Sequence, residues 1–102
     1  MERYDKLVRD RIPEIVSGEK KNPVWHIAPP DEYQAALFRK LGEEVAELTQ
    51  GPSLSEGADV LEVLRAIFLL EGWSAEELEA ARVDKERDRG GFSRRIILET
   101  VS

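Results

Sequence analysis

The stretch from Gly57 to Leu70 constrains this chain more than any other. Ala58, Val60, Leu61, Val63, Leu64, Ala66, Ile67, Phe68, Leu69 and Leu70 leave it almost no polar face. Read as a helix, it is apolar nearly all round, and such a helix is expected to be buried on most sides. Yet it carries Asp59 and Glu62, with Glu56 one turn before Asp59, and its only base is Arg65. A buried carboxylate without a partner must neutralise, find a base or bind a cation.

The flanking sequence supplies a mate for this helix. Leu37, Phe38, Leu41, Val45 and Leu48 recur at helical spacing after Asp31, which follows two prolines and suits an N-cap. Thr49-Gln50-Gly51-Pro52 stops that helix, and Ser53-Leu54-Ser55-Glu56 reads as a capping box opening the next. Gly72-Trp73 ends the apolar helix at about Leu70 or Glu71. Ser74-Ala75-Glu76-Glu77 opens a further helix to about Asp88, before Gly90-Gly91 breaks the chain. Upstream, Pro13 and Gly18 bracket a short helix near 12–17. Residues 18–30 read as a loop in which Val24-Trp25-His26-Ile27 forms a brief strand, pairing with an extended Phe92–Val101 segment. The predicted architecture is mainly α. An antiparallel helical hairpin carries a small β element in one domain spanning 1–102. One hairpin cannot cover an all-apolar helix, so a homodimer or larger homo-oligomer with a four-helix core is expected.

At about 100° per residue, Glu44 falls at the edge of the apolar arc of its helix. Glu47 lies on the same flank one turn away, and Glu43 sits further toward solvent. Antiparallel packing through the Gly51-Pro52 turn brings Glu44 and Glu47 toward Glu56 and Asp59. Four converging carboxylates make an oxygen-only site for a hard divalent cation, Mg²⁺ or Mn²⁺, with water completing its shell. Composition narrows the alternatives. The 102 residues include no cysteine and one histidine, His26, which excludes thiolate chemistry and multi-histidine metal sites.

The net charge of −6 is unevenly spread: residues 31–80 hold twelve acids and three bases, residues 82–95 six bases and three acids. Such a chain lacks the basic face of a nucleic-acid binder. An acidic centre between mildly basic ends suits a metal site that also takes a phosphorylated ligand. The longest apolar run, Ala66 to Leu70, is far short of a membrane span, and the N-terminal stretch lacks the apolar core of a secretory leader. The expectation is a soluble, cytoplasmic protein.

Glu43-Glu44-Val45-Ala46-Glu47 followed by Glu56-Gly57-Ala58-Asp59 resembles the EExxE…ExxD signature of the MazG-like, all-α nucleotide pyrophosphohydrolases. Lys6-Leu7-Val8-Arg9-Asp10-Arg11-Ile12-Pro13-Glu14-Ile15, Asp59-Val60-Leu61-Glu62-Val63 and Arg89-Gly90-Gly91-Phe92 look like the branch of that superfamily labelled phosphoribosyl-ATP pyrophosphohydrolase-like. The eight residues between Glu47 and Glu56 make a tighter hairpin than in many relatives.

The resemblance implies Mg²⁺-dependent hydrolysis of a nucleoside triphosphate or related nucleotide between its α and β phosphates, giving a monophosphate and pyrophosphate. It also implies that Glu44, Glu47, Glu56 and Asp59 hold the metal. Glu43 is then the candidate to orient or deprotonate the attacking water, and Glu62 is either an extra ligand or an orienter of the ligands. An acidic pocket alone repels polyphosphate, so basic groups must supplement the metal; Arg9, Lys85 and Arg89 are the first choices. Trp25, Tyr33 and Trp73 are all available to stack on a base. Two other readings stand beside this one. One is the phosphoribosyl-ATP step of histidine synthesis. The other is a non-catalytic acidic helical module, in which Glu62 merely pairs with Arg65 and the 82–89 charges form a solvated helix.

Overall fold

The computed structural model describes residues 3–102; residues 1 and 2, part of the stretch read for a leader, lie outside the described residues. Four helices follow in order: α1 Ile12–Gly18, α2 Pro30–Gln50, α3 Leu54–Glu71 and α4 Ala75–Arg89. The chain groups into two compact units, Met1–Glu71 and Gly72–Ser102.

In the first unit α2 and α3 pack together as the expected hairpin, joined by three residues, 51–53. The buried apolar core is Leu37 from α2 with Val63 and Ile67 from α3. Leu7, Tyr33, Leu41, Ala66 and Phe68 pack around it. Leu7 thereby ties the segment before α1 to the hairpin. Ile12 N–H donates to the Arg9 carbonyl at 3.0 Å, so α1 starts directly from that anchored segment.

Helix ends follow local chemistry, with two departures from the sequence reading. Asp31 is not the cap of α2. Pro29 holds that position with extended backbone, and Pro30 takes the first helical turn, where a missing N–H is harmless. Asp31 and Glu32 instead place negative charge in the first turn. His26 Nε2 lies 2.6 Å from Glu32 Oε1, tying the preceding loop to this turn. At α3 only one arm of the capping box is used as expected: Ser53 Oγ accepts from Glu56 N–H at 3.1 Å. The Glu56 carboxylate lies elsewhere, among other acids.

The second unit holds α4, whose Ser74–Glu77 capping box is complete. Beyond it the chain is irregular. No strand is present among the described residues, so the β element expected from 24–27 and 92–101 does not form. Val24, Ile27, Ile96, Ile97 and Leu98 are all well exposed. A lone pair of short strands with no surface to cover one face is marginal in water.

As expected of one hairpin, α2 covers only part of α3. Within one chain Leu54, Leu61, Leu69 and Leu70 stay exposed. No helix among the described residues is long and apolar enough to cross a membrane.

Candidate metal centre

The inward stripes of α2 and α3 run continuously from core to carboxylates. From mid-hairpin toward the turn, α2 contributes Leu37, Leu41 and Glu44, with Glu47 exposed one turn further on, while α3 contributes Ile67, Val63, Asp59 and Glu56. These are steps of three and four residues, which keep one helix face inward. The seam is therefore apolar at its centre and acidic at its turn end.

There, Glu44, Glu56 and Asp59 each offer a carboxylate oxygen, and the three oxygens lie within 4.8 Å of one another. Glu44 is the buried member, at 7% exposure, and its Oε2 has no hydrogen-bond partner. Glu56 Oε2 is likewise buried and unpartnered. Two orphaned carboxylate oxygens in one cluster are costly unless a cation satisfies them. The donor set, oxygen only and flexible in number, fits a hard divalent ion. Sequence reasoning expected buried acids on α3; the most buried acid is Glu44 on α2, while Glu56 and Asp59 on α3 are half-buried.

Glu47 joins the cluster electrostatically. The negative charge of Glu44, above all, holds its carboxyl above the ordinary carboxylate value; desolvation and the charge of Glu56 push the same way. Three of the four acids named from the sequence, Glu44, Glu56 and Asp59, thus converge at the turn end of the hairpin, while Glu47 is exposed beside them.

Among the described residues, two cations reach this group. Lys40 Nζ lies 3.3 Å from Glu44 Oε1, one turn earlier on the same helix. Arg9 Nη2 donates to Asp59 Oδ1 at 2.8 Å, from fifty positions away in sequence. Sequence reasoning missed Lys40; its i,i+4 spacing to Glu44 was the available signal.

The remaining candidates fall elsewhere. Glu43 is exposed, beside Lys6, Leu7, Ala36, Arg39 and Lys40. Glu62 is exposed, 3.6 Å from Arg65. Lys85 and Arg89 are exposed on α4, in the second unit. On that helix Arg82 pairs with Glu79 and Glu86, and Arg87 with Asp84. Tyr33 packs against the core, whereas Trp25 and Trp73 are largely exposed.

Comparison with known proteins adds a short stretch of similarity. No protein-family model and no solved structure matches the chain. Forty-three residues, 42% of the chain, are 56% identical to part of an uncharacterized protein of Mycolicibacterium smegmatis, and the match spans 44% of that protein's length.

Proposed function

We propose that this chain is a Mg²⁺-dependent nucleotide pyrophosphohydrolase of the MazG-like kind, with Mn²⁺ an alternative ion. The observation that carries the reading is the convergence of Glu44, Glu56 and Asp59 oxygens in a cluster where Glu44 Oε2 and Glu56 Oε2 are buried without partners. Glu44, Glu47, Glu56 and Asp59 would hold the ion. Bound there, Mg²⁺ supplies charge neutralisation for phosphate oxygens and lowers the pKa of coordinated water. Glu43, exposed and next to Glu44 in the chain, is the proposed acceptor for the proton of the attacking water. Lys6, Arg39 and Lys40 lie beside it and supply positive charge on that side of α2 that would favour a polyphosphate.

The test uses the full chain with Mg²⁺ and a panel of canonical and modified nucleoside triphosphates together with phosphoribosyl-ATP, with and without chelator. Pyrophosphate is expected from at least one substrate and none after chelation. Release from phosphoribosyl-ATP alone would move the reading to histidine synthesis. No release from any of them, with the ion bound, would leave a non-catalytic acidic module.

The working form is proposed to be a homodimer. Phe38 and Val45 on α2, and Leu54 and Leu61 on α3, are exposed pairs seven residues apart. That spacing suits a four-helix core formed with a second copy. Light scattering is expected to give twice the 11.6 kDa chain mass. Leu61→Arg, which puts a charge into the proposed contact, should shift the population to monomer; a wild-type monomer would refute the assembly.

A further inference from the structure

We infer that Arg9 competes with the metal for Asp59 and is handed to the substrate's phosphates when the ion enters; this rests on reading the carboxylate cluster as a metal centre. The two cations at the cluster differ in how they are attached. Lys40 sits on α2 itself, one turn from Glu44, half sheltered at 21% exposure. Arg9 comes from a separate segment, held by Leu7 against the core and by its own carbonyl at the start of α1. Its backbone is therefore fixed while its side chain, 57% exposed, is free to change partners.

The Arg9–Asp59 contact is short but exposed on both sides, with Asp59 at 36%. Such pairs contribute little net stability and exchange readily. The guanidinium cannot shed its charge, so it opposes any dication approaching the same carboxylates. Once the ion has taken Asp59, the guanidinium is left at the rim of the site with its planar donors unspent. A phosphate oxygen pair is the complement of that fork. Arg9 thus weakens metal binding when the ion is alone and strengthens anion binding once the ion is present. By linkage, it makes ion and polyphosphate bind cooperatively.

The experiment measures the full chain, its R9Q variant and its R9K variant, by calorimetry. With Mn²⁺ alone, R9Q is expected to bind about two- to fivefold more tightly than wild type, the range set by a weak exposed pair. R9K, which keeps the charge, should stay near wild type. With saturating Mg²⁺ and inorganic pyrophosphate as the probe, R9Q should bind the anion at least about tenfold more weakly, the loss typical of a charge-assisted hydrogen bond. Arg9 precedes α1 and is exposed, so circular dichroism should be unchanged in both variants. Opposite signs in the two titrations support the exchange. Unchanged or weaker Mn²⁺ binding by R9Q would overturn it, making Arg9 an orienter of Asp59. Tighter Mn²⁺ binding with undiminished pyrophosphate binding would overturn the hand-over. Absence of Mn²⁺ binding in all three proteins would instead remove the metal centre itself, and the inference with it.

Discussion

Glu47→Gln is expected to lower pyrophosphate release by more than about a hundredfold while raising the melting temperature of the metal-free chain. The first half follows from the donor set. Glutamine keeps the shape of the side chain but supplies no anionic oxygen, and even partners one step removed from a bound metal are commonly worth about 10–100-fold. The second half follows from repulsion. The charge of Glu44, with desolvation and then Glu56 behind it, holds the Glu47 carboxyl above its ordinary value. Its ionised form is therefore the one the fold disfavours, and near neutral pH a neutral amide relieves that repulsion. Thermal melts in chelator and a pyrophosphate assay in Mg²⁺ check both halves on one preparation. A lower melting temperature with retained turnover would mean that Glu47 serves the helix rather than the ion.

Mn²⁺ or Mg²⁺ is expected to stabilise the chain strongly. At an ion concentration a hundred times its dissociation constant, binding to the native state alone adds about 2.7 kcal/mol. For a domain the size of the first unit, each kcal/mol moves the midpoint by roughly 4–8 °C, so a rise on the order of 10–20 °C is expected. Chelation should reverse it. Sodium chloride at matched ionic strength should give much less, because screening weakens repulsion without satisfying the orphaned oxygens of Glu44 and Glu56. Equal shifts from both salts would count against a specific site. In Glu44→Gln the divalent response should shrink, since that variant removes the buried donor.

The hairpin and its acids were legible in the sequence because both are written in local periodicity. Leu37 and Leu41 on one helix, and Val63 and Ile67 on the other, mark the inward stripes. Glu44 and Asp59 fall on the same stripes, so the turn brings them together without further information. What was not legible depends on contacts between distant residues. Arg9 lies beside Asp10 and Arg11, and nothing local in that run points to Asp59. In the fold Arg11 is 3.3 Å from Glu14, while Arg9 crosses to Asp59 because Leu7 docks on the hairpin. The strands failed for a related reason: apolar residues at 24–27 and 96–98 favour extended backbone, but strand formation needs a partner and a surface. The capping box at Ser53 misled in one arm only. The motif predicts a local use for Glu56, and the neighbouring acids claim the same carboxylate.

The shared seam of α2 and α3 sets fold and chemistry against each other. Leucine or valine at 44, 56 and 59 would extend the Leu37–Val63–Ile67 contact toward the turn and remove the charges of Glu44 and Glu56 that repel Glu47. Selection for robustness alone would therefore erase these acids, and a consensus-style stabilisation of this hairpin would silently disarm it. Thermal tolerance gained at those positions is a warning sign for anyone engineering the chain, whereas the same gain sought at exposed positions of α4 leaves these acids in place.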